Sequence, residues 1–495
     1  MFKIFSFFSP ILLIADPGIL WFEEYSGSGE ESIGHFILSC EDGGYLQVGE
    51  TYDYATPSSK VLIVKTNSAG QILWHREIFD GNHNLGNSAI EMDDGYLISG
   101  SLDYDSAIMK FNKEDGSTIF IKTFDNGGTD AFENAVITPN GIIAVGYNYA
   151  EDPENTFFTE GKGFMMLLDL NGNELSSRSL SDYIDQAYRV QYFNDELIIS
   201  GLAEDASDYK LIKMSLEGDV IWHYTYGGNE EDHCFGMDIN NFGDIFLTGH
   251  TQSGTVNWDT YTLKINNDGT LLWENKIGNP RGFDPQYIHD EAWDIKATND
   301  GGCVVIAGTG DEYINYSECL SDDCSDVWNA YIIKFDNHGE IMWEKTFSSH
   351  DINDEIYDWA GEAIDLTGDG GAIIAIDNGQ FGFLRVSNVQ NSELINYSEI
   401  KNAQTFALSA NYPNPFNPST EIPYFIAKRS LININIIDVR GNHIISLVNK
   451  YQPAGNYSTF WKGTNENNEL VSAGIYFYRL AAGDYSEVRK MVLLK

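Results

Sequence analysis

Read for the alternation of apolar and polar positions, the chain divides into short period-two runs separated by glycine-rich turns, the pattern of half-buried strands. The clearest stretch begins at His233: "HCFGMDINNFGDIFLTGHTQSGTVNWDTYTLKINNDGTLLWENKI". It contains four strand-like runs. "FGMDIN" passes through a Gly/Asp turn into "DIFLTG". A longer polar loop then leads to "TYTLKIN", and "NDG" turns that run into "LLWENKI". Asn-Asp-Gly between alternating runs signals a hairpin, because glycine reaches positive φ without a steric penalty.

The same pattern recurs along the chain. The glycine closing the second run returns at Gly49, Gly100, Gly146, Gly201, Gly249 and Gly308. The fourth run carries Trp74, Trp222, Trp273 and Trp343, with Phe120 and Leu175 taken as its counterparts in two other units. A seventh unit, "WAGEAIDLTGDGGAIIAIDNGQFGFLRVSNV", supplies only three runs. Four-stranded units of this length match propeller blades. The early stretch "GILWFEEY", Gly18–Tyr25, is a fourth run with no unit ahead of it. It is therefore expected to complete the seventh blade, with Trp21 at the place Trp273 holds in its own. The expected fold is all-β: a seven-bladed β-propeller over residues 16–390, closed by an N-terminal strand, with no exposed sheet edge left at the join. Six or eight blades follow if a weak unit, such as 134–186, is misread. The turn "N-x-D-G-x-x-x-W" resembles quinoprotein-like propeller repeats, and the double glycines of "EDGGYL" and "NDGGCV" resemble kelch repeats. Turn geometry and inter-blade packing account for both, so a quinone cofactor is not expected.

Composition adds direction. The net charge of −45 excludes a general binder of nucleic acid or anionic membrane, which needs a positive surface. The charge is uneven: residues 401–495 hold 10 Lys/Arg and 6 Asp/Glu, leaving 19 and 68 for residues 1–400. A domain boundary near 400 follows, with 391–405 as linker. "MFKIFSFFSPILLIA", residues 1–15, has a basic start, an apolar run and a small residue at Ala15, as an export signal peptide does. It is too short to span a bilayer, and no later run is long and apolar enough. Cys319 and Cys324 sit in one polar loop where a disulfide is an open option. Cys40, Cys234 and Cys303 fall in strand-like runs as buried thiols.

From Phe406 the chain changes character. "YPNPFNPST" (Tyr412, Pro413, Asn414, Pro415, Phe416, Asn417, Pro418, Ser419, Thr420), "DVRG", Ala454–Gly455 with Trp461, "GIYFYRL" and the terminal "KMVLLK" follow in order. Taken by itself this segment reads as a small immunoglobulin-like β-sandwich of short alternating strands. Its motifs resemble the type A C-terminal sorting domain of type IX secretion substrates, over residues 406–495. The resemblance implies engagement of the type IX secretion machinery, passage across the outer membrane, and a secreted or outer-surface location, retained or released.

In a ring closed this way, the turns after first and third strands share one face and are short, whereas the loops after second and fourth strands share the other and are long. Function concentrates where a rigid scaffold carries variable loops. These loops hold Tyr52, Tyr54, Tyr149, Trp258, Tyr313 and Trp328, rings suited to sugar faces or side chains, beside Asp311, Asp322 and Asp323, which suit calcium. His233, His289, Asp290 and Tyr287 are the candidates for acid–base work at the channel mouth. The acidic residue that precedes several first strands (Asp130, Asp185, Asp232, Asp290) also has an architectural explanation, bonding backbone amides in each blade. No nucleophile elbow, P-loop or metalloprotease motif occurs. The expectation is a binding or adhesion module for an extracellular glycan or protein, with a polysaccharide lyase or hydrolase as the alternative.

Overall fold

The computed structural model describes residues 17–56, 58–150, 161–203, 208–311, 325–352 and 357–390. In the C-terminal part it describes 407–408, 411, 414, 416–426, 430–440, 442–452, 455–467, 469–482 and 485–494. The expected leader, the 391–405 linker, Tyr313, Cys319, Asp322, Asp323, Cys324, Tyr412, Pro413 and Pro415 lie outside the described residues, as does the side chain of Tyr149. The chain forms two compact units, residues 1–392 and 393–495.

The first unit is built of seven four-stranded antiparallel sheets, six of them in the strand order of the sequence. Blades 1 to 6 span 31–78, 84–124, 129–179, 186–226, 232–277 and 288–347. Blade 7 takes Ala360–Leu366, Ala372–Asp377 and Phe381–Ser387 from the end of the unit, and Gly18–Tyr25 pairs antiparallel with Phe381–Ser387 as its fourth strand. The seven blades and the closing strand match the sequence expectation.

The register explains why the fourth-strand tryptophan recurs. Trp74, Phe120, Trp222, Trp273 and Trp343 each lie opposite a third-strand lysine (Lys65, Lys110, Lys213, Lys264 and Lys334), and Trp21 lies opposite Arg385. The six cations are buried, and each pairs at 2.5–3.0 Å with a carboxylate at the turn after its blade's first strand: Asp42, Asp94, Glu196, Asp244, Asp300 and Asp369. A buried cation needs such a partner, so the acidic Gly-Asp turns of the short-loop face are architecture. Just before the aromatic, each fourth strand slips by one residue, leaving an unpaired apolar residue outside: Leu20 is 54% exposed and its blade 3 counterpart Leu175 is 56% exposed. Leu175 therefore does not stand in the tryptophan's place; Ser176, opposite Leu167, does. A bulge in every outer strand spoils the row of unpaired amides that would otherwise invite another chain.

The second unit stands on its own core. A three-stranded and a four-stranded sheet enclose buried Ile434, Trp461, Tyr478, Leu480 and Met491. The sorting-motif residues that are described have structural partners. Phe416 packs on Trp461 at 5.6 Å and its amide and carbonyl bond Val492 and Leu494, while Asn414 accepts from the Val492 amide at 2.9 Å. The motif thus fastens the last strand, Tyr485–Leu493. Asn417 and Pro418, joined by a cis peptide bond, form the bend beside Phe416.

Candidate functional site

The first strand of every blade slips against the second (in blade 3 a further time, at Asp130), and at one shared place it leaves a residue out of the ladder: His35, Asn87, Glu133, Tyr188, Phe235, Trp293 and Glu362. All seven line a single cavity of about 380 Å³, which is the central channel of the ring. A bulge re-aims a side chain, and here it turns seven of them onto the axis. It also accounts for the recurring second-strand glycine. A Cβ at Gly49, Gly100, Gly146, Gly201 or Gly249 would overlap a carbonyl oxygen of the bulged first strand, from Ile33, Leu85, Ala131, Gln186 and His233 in turn.

A second hollow of about 490 Å³ shares Trp293, Glu362 and Asp377 with the channel and forms its mouth. Its walls come from segments after second strands (Tyr54, Asn378) and before first strands (Glu30, Tyr357, Asp358), the long-loop face. Among the expected ligand-binding residues, Tyr54 and Trp328 line this mouth. Tyr52 stands behind Tyr54 in an edge-to-face pair at 5.7 Å. Trp258 does not join them: its indole packs on His233 at 4.8 Å and His250 at 4.9 Å.

Carboxylates dominate the channel. Burial pushes the Glu133 carboxyl up to about 7 although Arg189 and His35 pull it down. Burial, then the charges of Asp377 and Glu291, hold Glu362 well above the usual range, and burial raises Asp377 as well. Glu50 behaves oppositely. Burial disfavours its charge, yet the His35 and His83 imidazoles outweigh that and hold it low. Glu291 is held low in the same way by His289, whose Nδ1 lies 3.3 Å from its Oε1. The single guanidinium in the cavity, Arg189, donates to the Tyr188 carbonyl at 3.0 Å.

The residues picked out for acid–base chemistry are placed as follows. His233 faces His250 across 3.3 Å, and burial pushes these two imidazoles down to about 3 and about 4, so both are neutral rings in an aromatic cluster. His289 serves Glu291. Tyr287 closes a turn onto the Asp284 carbonyl at 3.1 Å and lines neither hollow. Asp290 accepts from the Asn279 amide at 2.6 Å, Asp232 from Gly228 at 2.6 Å and Asp130 from Asn126 at 2.8 Å. One loop-fastening geometry thus recurs in three blades, and Asn84 does the same for the Asp80 amide at 3.1 Å. Asp311 is buried and bonds Ser325 through both backbone and side chain. A set that sequence reasoning missed is Asp105, Asp125 and Asp130, whose carboxylates lie within 4.8 Å of one another. The seven channel residues were also missed, because they share a register position and no residue type. Their only local signal is that each sits thirteen to fifteen residues before the recurring glycine or its equivalent.

The chain resembles PorZ, a surface component of the type IX secretion system of Porphyromonas gingivalis (11% identity, 92% of this chain, TM-score 0.41), and spans 59% of that chain's length. It is also similar to a virginiamycin B lyase from Staphylococcus aureus (12% identity, 74% of this chain and 99% of that one, TM-score 0.46) and to the Dos1 propeller (8% identity, 75% and 96%, TM-score 0.40). No curated protein sequence matches the chain. Among the described residues no helix is long and apolar enough to cross a membrane. Residues 410–494 match the family of secretion system C-terminal sorting domains, so the chain ends in a type IX sorting domain that directs it to the cell surface or the medium.

Proposed function

We propose that this protein is an exported propeller that binds an extracellular glycan or protein at the channel mouth of its long-loop face. The observation that carries the reading is the hollow of about 490 Å³ in which Tyr54, Trp293, Trp328 and Tyr357 alternate with Glu30, Glu31, Glu291, Asp358 and Glu362. Aromatic faces supply desolvation energy, and fixed carboxylates supply orientation and specificity, the usual division of labour in a ligand site. Glycan and secretome arrays probed with the full chain test it. Trp328→Ala with Tyr54→Ala should lower the affinity for whatever the parent binds by more than tenfold, while Trp258→Ala, whose ring packs internally, leaves it within twofold if the fold is kept. Retained binding in the first variant removes the mouth as the site.

An enzymatic reading is favoured by one feature: Glu133 and Glu50 share the channel with their acidities pushed in opposite directions, as in an acid and base pair. It predicts turnover of a polysaccharide, seen as new reducing ends or an ultraviolet-absorbing unsaturated product, that Glu133→Gln abolishes. Silence across neutral and acidic polysaccharides counts against it.

A further inference from the structure

We propose that the channel receives an organic cation, a ligand carrying ammonium groups that seat against Glu362, Asp377 and Glu133. The inference rests on the reading of the mouth as a ligand site and names the chemistry of what enters. Glu362 accepts no hydrogen bond and joins no ion pair among the described residues, and its half-buried side chain lines both hollows. Glu133, in blade 3, likewise receives no hydrogen bond among the described residues, though Arg189 and His35 act on it through their charge. Carboxylates deep in a ring and open only to its channel are poorly solvated, and among the described residues neither receives a donor.

The cavity sets four carboxylates (Glu50, Glu133, Glu362, Asp377) against the imidazoles of His35 and His83, which serve Glu50, and one guanidinium, Arg189, which is tied to a backbone carbonyl. An anionic ligand is repelled, and a neutral one brings no charge to offset the carboxylates. An ammonium group brings three donors and a full charge. It also gains from the ring faces of Trp293, Phe235 and Tyr188, which stand between the acids. The volume, about 380 Å³, admits a chain or a single sugar ring. Glu291, Glu31 and Glu30 carry the acidic lining on to the mouth, so a ligand with ammonium groups spaced along its length meets carboxylates throughout.

The geometry has a consequence for protons. Burial, then the charges of Asp377 and Glu291, holds the Glu362 carboxyl up, and burial pushes Glu133 up to about 7 against Arg189 and His35, so both lean toward their protonated forms. An entering ammonium group displaces these protons to the buffer.

Calorimetric titration of the full chain tests the inference, with spermidine, a chitosan trimer and the fully N-acetylated trimer as probes, in buffers of different ionisation enthalpy at pH 7. Binding of spermidine or of the chitosan trimer, with proton release and with the acetylated trimer at least tenfold weaker, is the expected result; which amine binds tells an aliphatic polyamine from an amino sugar. Glu362→Gln and Glu133→Gln should each weaken binding at least tenfold and reduce the protons released, while Glu174→Gln on an outer strand changes neither. The inference is overturned if no amine binds, or if both channel variants bind like the parent with the same proton count. Array binding that depends on Trp328 and Tyr54 but shows no preference for amines sinks the cation and leaves the ligand site standing.

Discussion

If Gly18–Tyr25 closes the ring, its removal must cost far more than the trimming of a terminal strand usually does. The strand faces two ways. Trp21 and Tyr25 join the core made by Tyr45, Leu62, Val64 and Phe383, which couples blades 1 and 7, while Ile19 and Phe22 join the core around Trp359 and Val386. Ring contacts are close: Phe22 to Trp359 at 4.6 Å, Tyr25 to Phe383 at 5.6 Å and Trp21 to Tyr45 at 5.7 Å. Truncating a fully buried Phe or Trp costs about 3–5 kcal/mol, and these three are half-buried, so about 2 kcal/mol each, or about 6 kcal/mol together, is the scale. That sum rivals the net stability of a whole domain, about 5–15 kcal/mol. Urea unfolding followed by tryptophan fluorescence reads the effect. Phe22→Ala should cost about 2 kcal/mol, and Leu20→Ala, at the exposed bulge of the same strand, less than about 0.5 kcal/mol. The chain lacking 18–25 should be grossly destabilised and regain its midpoint on addition of the peptide GILWFEEY, in a concentration-dependent way, by mass action. A deletion variant with the parent's midpoint and slope refutes the closure.

Two further outcomes test the channel's construction. Gly146→Ala drives a methyl group into the Ala131 carbonyl oxygen of the bulged strand and should cost about 2–3 kcal/mol in denaturant unfolding. Gly43→Ala, at φ +80° with open space around it, should cost only about 1 kcal/mol; equal losses contradict the bulge explanation. Glu133 binds its proton more tightly folded (about 7) than unfolded, where about 4.3 is usual, so its contribution to stability is complete below about pH 4 and disappears as pH rises through 7. Glu133→Gln should therefore gain melting temperature on the parent above pH 7 and lose that advantage below pH 5, and parallel profiles would contradict it.

The blades were legible because their signals are local and repeat. Asn-Asp-Gly hairpins, period-two runs and a tryptophan at a fixed place in the fourth strand need no tertiary information. Even the closing strand was legible, since Trp21 sits opposite Arg385 as Trp273 sits opposite Lys264, and both follow a one-residue slip. Leu175 was misassigned for the same reason in reverse. A slip adds one residue to the strand without changing its hydrophobic character, so pattern alone placed the apolar Leu175 where the register puts Ser176.

The site was less legible, for a reason that the channel residues make concrete. Tyr54 and Trp328 were reachable because long loops advertise themselves by composition. His35, Asn87, Glu133, Tyr188, Phe235, Trp293 and Glu362 share a place and not a chemistry, so no search for a repeated residue type can gather them. What repeats is the scaffold around each: a slip in the first strand and, opposite it in most blades, a glycine that makes room for the displaced carbonyl. The acidic residues that do repeat, Asp130, Asp232 and Asp290, bond loop amides. In a ring of homologous blades, repetition therefore marks architecture, and function is to be sought at equivalent positions where the blades disagree. The channel is such a position seven times over. Two of its seven residues are carboxylic acids to which no described residue supplies a hydrogen bond. The scaffold pairs its buried third-strand cations one by one with turn carboxylates, whereas Glu133 and Glu362 face the open channel, where the proposed ammonium ligand would meet them.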